Sequence, residues 1–156
     1  MPTAPTRRAG QRGGAAVEFG IVLALLVTLL AGIFGFGRAF WYYDALSKAS
    51  RDGARAMSIS AKASINSAGV AAARQVVLDA AASAGVPGLA GANVSVVCLD
   101  ASFNDSVCSD GTAPAGVRVA IVNYTLSVGQ YLPFVIGANS SYTTPLSPRT
   151  TMPYML

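Results

Sequence analysis

Apolar and polar positions are unevenly divided along the chain, and the largest apolar block comes near its start. Residues 19–37, FGIVLALLVTLLAGIFGFG, carry no charge and lie between Glu18 and Arg38. At about 1.5 Å of rise per residue this run makes roughly 28 Å of helix, against a hydrocarbon core of about 30 Å. The block therefore predicts one transmembrane helix. A cleaved secretory signal is the competing reading, but its apolar core is usually about 7–15 residues long and ends at a small-residue cleavage site. Here the run is longer and leads into Arg38, Trp41, Tyr42 and Tyr43, a basic and aromatic set suited to anchoring a helix end at the membrane interface.

Helical patterning continues beyond the block. From residue 38 to 58 there is no proline and one internal glycine, Gly53. Asp44, Lys48 and Asp52 are spaced to pair at i, i+4 on an exposed face, and Ala45, Ala49, Gly53 and Ala56 form a narrow face of small side chains. One long helix over 15–58 is expected, half in lipid and half projecting from it. Residues 59–66 hold Ser and Asn that can cap a new helix. Over 68–84 alanine dominates, with Val70, Ala73, Val77, Ala81 and Ala84 at helical spacing, and Gly85 followed by Pro87 is a stop signal. After a Gly-rich link the composition turns β-branched. Strands are expected at 94–99, 116–128 and 140–154, the last weakened to an edge by Pro145, Pro148 and Pro153. The segments SFNDS and SDGTAPAG between them read as turn-rich loops. YLPFVIG at 131–137 is more apolar than a loop needs, and reads as core beneath the sheet or as a partner surface. The fold class is α+β: a long N-terminal transmembrane and projecting helix, a second helix and a small antiparallel sheet. The expected organisation is a basic leader at 1–13, the long helix at 14–58 with its span at 19–37, and an outer α+β domain at 59–156.

Composition and charge narrow the function. Only 12% of the 156 residues are charged and 53% are hydrophobic, where a soluble domain carries about 25% charged. A soluble enzyme is disfavoured. The net charge of +4 arises wholly within the first 55 residues, which hold seven of the 11 bases and three acids. Charge so localised points to a membrane surface and not to nucleic acid. Arg7, Arg8 and Arg12 precede the span with no acid among them, which keeps the N-terminus in the cytoplasm and places 39–156 outside. An extracytoplasmic compartment allows Cys98 and Cys108 to oxidise to a structural disulfide. There is no histidine, and two thiols do not supply the four ligands of a zinc site. No catalytic residues, cofactor site or metal site emerge, because neither CxxC, GxSxG nor a Ser with a nearby base is arranged in a recognisable way.

The most informative residue is Glu18, because it stands alone at the start of a membrane span, and burying an unpaired carboxylate in a bilayer costs about 2.5–3.5 kcal/mol at its centre. Alone it would be explained by the headgroup level and the helix N-terminus. Its neighbours are Gly13, Gly14, Ala15, Ala16, Val17 and Phe19, placed between a basic leader and the apolar span. A glycine with glutamate at the fifth position after it and an aromatic at the sixth resembles the leader junction of type IV prepilins. The motifs GGAAVEFGIVLALL at 13–26 and KASRDGARAM at 48–57 are more closely similar to the TadE-like family of pseudopilins or minor pilins of tight-adherence (Flp) pilus systems.

That resemblance implies a type IV pilin-like layout, a bacterial inner-membrane location and cleavage between Gly13 and Gly14 by a membrane prepilin peptidase. It also implies partnership with other pilus or pseudopilin subunits through the span. Glu18 would then meet the new amine of Gly14, in its own chain or a neighbour's. Two departures stand out: Phe19 lacks the tyrosine hydroxyl common in the major pilins, and Ala24 stands where TadE-like spans often have proline. Ala16, Gly20, Ala24, Thr28 and Gly32 recur every four residues, with Ala31 and Gly35 another such pair, a spacing that lets helices pack closely in lipid. The alternative reading is a single-pass membrane-anchored adaptor of a secretion or envelope complex, never cleaved.

Overall fold

The computed structural model describes residues 12–128 and 142–155. The expectation at 131–137 lies outside the described residues, as does most of the leader.

Helix α1, Arg12–Ser58, is continuous across the apolar block and the polar stretch beyond it. It begins three residues before the expected start, running through Gly13 and Gly14. Its first half touches nothing else among the described residues. Val17, Phe19, Ile21 and Phe34 are all more than 60% exposed. The second half is a core helix. Tyr42, Leu46, Ala49, Gly53 and Met57 are buried on one face, while Asp44, Lys48, Arg51, Asp52 and Arg55 stay exposed on the other. Burying a leucine such as Leu46, at 0% exposure, contributes about 1.5–3 kcal/mol.

After α1 the chain takes a 3₁₀ turn, Lys62–Ser64, and a π turn, Ile65–Gly69, before α2, Val70–Ser83. The buried residues of α2 are Ala73, Val77 and Ala81, members of the expected helical series. Gly85 ends the helix as expected, in a left-handed conformation at φ 68° that costs glycine little. Its N–H donates to the Ala82 carbonyl (3.0 Å) and that of Val86 to Ala81 (3.0 Å), the paired bonds of a Schellman C-cap.

The strands are β1 (Val94–Leu99), β2 (Asp105–Ser106), β3 (Gly116–Ile121), β4 (Thr125–Val128), β5 (Tyr142–Pro145) and β6 (Arg149–Pro153). They form two antiparallel sheets, one ordered β2-β1-β3-β6 and one β4-β5. Three expectations need correction. The single strand expected at 116–128 breaks at Asn123, whose φ of 51° lies in the left-handed region. The Asn93 side-chain amide donates to the carbonyls of Val122 (3.1 Å) and Asn123 (3.0 Å), satisfying backbone groups that the break takes out of the ladder. The strand expected at 140–154 also splits, because Pro145 and Pro148 bracket a crossing in which the Leu146 N–H donates to Tyr124 and that of Ile121 to the Pro148 carbonyl. Its second part, β6, is the expected edge. Finally, the SFNDS loop contains β2, which pairs Cys98 with Ser106 and Leu99 with Asp105.

Alternation in β3 aims Val117, Val119 and Ile121 at the helices, opposite Cys98, Val96 and Val94 of β1. Two clusters make up the core. One gathers Tyr42, Leu46, Val77, Ile121, Tyr124 and Leu126 around the part of α1 nearer the apolar block. The other gathers Met57, Ile65, Ala73, Val117 and the two cysteines at the far end. Cys98 and Cys108 are joined as a disulfide with both sulfurs buried. Closing so short a loop stabilises the fold by about 3 kcal/mol in the chain-entropy account.

Candidate functional site

Apart from the cysteine pair, the residues singled out by sequence lie along α1. Gly13 and Gly14 are in its first turn and exposed, with nothing within 4 Å of where a Cβ would stand. Adjacent glycines each cost about 1 kcal/mol in a helix relative to alanine, so this end of α1 opens most cheaply. Glu18 follows Gly14 by four residues, about 6 Å of rise. Its side chain is exposed, and no ion pair among the described residues involves it. Phe19 beside it is 68% exposed.

Along the span Gly20 and Ala24 are exposed, while Thr28, Ala31, Gly32 and Gly35 are half-buried between larger neighbours. The Thr28 hydroxyl donates to the Ala24 carbonyl (2.8 Å), so its one polar group is satisfied within the helix. This is one helix long and apolar enough to cross a membrane, with a mean hydropathy of 2.6 in its best window and none of that window buried. Such a helix is consistent with a single-pass membrane protein.

At the helix exit the expected anchors divide. Arg38 Nε donates to the Tyr42 hydroxyl at 2.6 Å, and its guanidinium lies 5.5 Å from the Tyr42 ring centre. Tyr42 itself is only 4% exposed. It belongs to the core beneath the sheets and not to the membrane interface, because α1 turns that face toward Tyr124 and Ile121. Trp41 and Tyr43 face outward, at 61% and 49% exposure. Trp41 Nε1 donates to the Ala84 carbonyl (3.3 Å), laying the indole against the C-terminal end of α2. From there an open groove of about 230 Å³ runs between α1 and α2, lined by Ala45, Ala49, Ala80 and Ala84 and by Asp44, Lys48 and Asp52.

Two polar devices of the outer fold had no signal in the sequence. The Tyr124 hydroxyl donates to the Pro87 carbonyl (2.7 Å), and burial, with Tyr42 nearby, raises its pKa above 10.0. Asp110, two residues past the disulfide, accepts the backbone N–H groups of Asn66 (2.7 Å) and Ser67 (3.2 Å) ahead of α2. Those bonds favour its charged form and hold its pKa below 3.8. Because the folded value is depressed, the stabilisation is present above the unfolded pKa and is lost as pH falls through the folded one. NMR titration should therefore find the Asp110 carboxyl midpoint below 3.8, with the Asn66 and Ser67 amides losing exchange protection as it protonates. Among the described residues no group of three or more His, Cys, Asp or Glu is placed to hold a metal ion.

A family model described as TadE-like protein matches residues 13–55, the stretch from the glycine pair to the basic end of α1. The TadE-like family is linked to tight-adherence pilus assembly, a structural role. No curated protein and no solved structure matches the chain.

Proposed function

On the premise that its N-terminal helix belongs to the TadE-like family, we propose that the chain is a pseudopilin or minor pilin subunit of a tight-adherence pilus. It is made as a precursor, cut between Gly13 and Gly14 by a prepilin peptidase, and held in the bacterial inner membrane by residues 15–37. The leader lies in the cytoplasm and the packed α+β part lies outside. The observation that carries this reading is the junction GGAAVEF, a glycine followed at the fifth and sixth positions by Glu18 and Phe19, at the head of an otherwise uncharged span.

The physical chemistry supports each step. Three leader arginines without an acid hold the N-terminus on the cytoplasmic side, where the peptidase acts. Cleavage removes them and leaves the mature chain at +1, so their charge serves topology and processing. It also creates an ammonium on Gly14, one helical turn from Glu18. In low dielectric such a pair is far stronger than in water, and it offsets the burial of both charges. Made between neighbouring subunits, the pair also sets their axial register.

The test is intact-mass measurement of the chain purified from cells with and without the peptidase. Loss of the first 13 residues only when the peptidase is present is the expected result. An N-terminus that stays at residue 1 or 2 in its presence would overturn the assignment.

A further inference from the structure

We infer that the loop after α2, residues 84–90, is a second membrane contact, resting on the lipid headgroups beside the point where α1 leaves the bilayer. The inference deepens the proposed subunit role and rests on its membrane placement.

Three contacts set α2 alongside α1 and running back toward the apolar block. Gly69, just before α2, lies by Met57, with its Cβ position 3.4 Å from the sulfur. Gly53 meets Ala73 and Val77 midway, and at the end Trp41 Nε1 donates to the Ala84 carbonyl at 3.3 Å. Trp41 follows Gly37, the last residue of the uncharged run, by about 6 Å of helical rise. The headgroup layer is itself about 5–7 Å deep on each side of the hydrocarbon. Helical side chains lean toward the N-terminus, so the Trp41 ring and the carbonyl it holds lie no higher than the Trp41 backbone. The end of α2 is therefore level with the headgroups. Phe40 and Trp41, both largely exposed, stand beside it as aromatics do at membrane interfaces.

The chemistry of the loop suits that level. No charged side chain occurs from residue 80 to 99. Gly85, Pro87, Gly88 and Ala90 are exposed and carry little or no polar surface beyond their backbone, while Val86 is buried. Where water is scarce an unpaired backbone group is costly, and this segment pairs its groups within the protein. The carbonyls of Ala80, Ala81 and Ala82 accept from the N–H groups of Ala84, Val86 and Gly85. That of Ala84 accepts from Trp41 and that of Pro87 from the Tyr124 hydroxyl at 2.7 Å. The Ala90 N–H donates to the Asn93 side chain at 3.1 Å. A single helix would let the outer fold rock about its exit. With the loop as a second foot, the fold keeps one tilt to the bilayer.

The experiment uses the full chain in phosphatidylcholine vesicles containing lipids with a nitroxide on either the headgroup or the acyl chain, which quench fluorescence at close approach. Pro87→Cys, Ala90→Cys, Val107→Cys and Phe34→Cys each receive one fluorophore, and the Cys98–Cys108 disulfide leaves no native thiol among the described residues to react. The labels at 87 and 90 should lose most of their emission to headgroup nitroxides. The label at 107 sits beside Cys108, which clusters with Met57, and Met57 stands roughly 30 Å of rise beyond Gly37, so that label should lose none. The label at 34, exposed in the apolar block, should respond to the acyl-chain nitroxides. Thermal melts matched to the parent's check the fold, and two independent loop positions guard against local damage at either. If both loop labels are quenched no more than the label at 107 while the label at 34 responds, the loop contact falls and the membrane helix stands. If the label at 34 does not respond, the membrane placement falls and the loop contact with it.

Discussion

Replacing Glu18 with alanine is expected to leave cleavage after Gly13 intact while reducing fibre assembly by roughly a hundredfold. On the proposed processing, the peptidase meets the glycine pair at the exposed start of α1, and Glu18 is a full turn away. Its loss removes nothing from the scissile bond. Assembly is different, because in the proposed subunit the new Gly14 ammonium enters or borders hydrocarbon, where an uncompensated charge costs up to about 2.5–3.5 kcal/mol at the bilayer centre. At 1.4 kcal/mol per factor of ten, that cost corresponds to the hundredfold loss. Glu18→Gln keeps the size and an acceptor but not the charge, and should fall close to alanine. Immunoblots of sheared surface fibres, normalised to mature chain in the membrane, provide the readout. Normal fibre yield from either variant would remove the charge pair from the mechanism.

The second large effect lies in the packed part of the chain. Gly53 sits where α1 crosses α2, and a Cβ there would stand 2.5 Å from Val77 Cγ2 and 3.2 Å from the Ala73 carbonyl oxygen. Val77 is fully buried and short, and the carbonyl belongs to a helix backbone, so neither neighbour yields easily. Overpacking of this kind costs about 1–3 kcal/mol, against a gain of up to about 1 kcal/mol from replacing glycine in a helix. Gly53→Ala should therefore lower the melting temperature by about 5–10 °C, and Gly53→Val by more, since a β-branched side chain adds bulk and little helix propensity. Gly37→Ala is the control. Nothing lies within 4 Å of its Cβ position, and it should be neutral or slightly stabilising. A melting temperature for Gly53→Ala equal to or above the parent's would mean that the two helices separate at little cost.

Both effects bear on α1, the helix that the apolar block and the outer fold share. Because α1 carries both the apolar block and the Gly53 crossing, loosening that crossing also loosens the attachment of the outer fold to the helix. A subunit with Gly53→Val should consequently be cleaved normally and assemble poorly, for a reason unrelated to Glu18. Thermal melts separate the two causes, since Glu18→Ala leaves the packed part untouched.

How much of this was legible beforehand depended on whether the physics was local. The apolar block and the continuation of α1 beyond it are readable because hydropathy and helical periodicity act over a few turns of contiguous chain. The end of α2 is readable because Gly85 supplies the positive φ that the cap requires. β1 was recovered over its full length, 94–99, for a similar reason, an unbroken β-branched run. The segment at 116–128 looked equally continuous. The turn at Asn123 is held from far away in sequence, by the Asn93 side chain, which bonds the carbonyls there.

The sequence by itself located the long apolar helix, the candidate processing junction and the cysteine pair, since each rests on residues close together in the chain. Tertiary structure alone decided that Tyr42 belongs to the core, that Gly53 is the crossing point of two helices, and that Asp110 serves the start of α2 from 44 residues away. It also divided the strands between two sheets. These outcomes turn on which surfaces meet when α1, α2 and the strands bury their apolar faces together, and the energy of that meeting is a property of the pair and not of either segment.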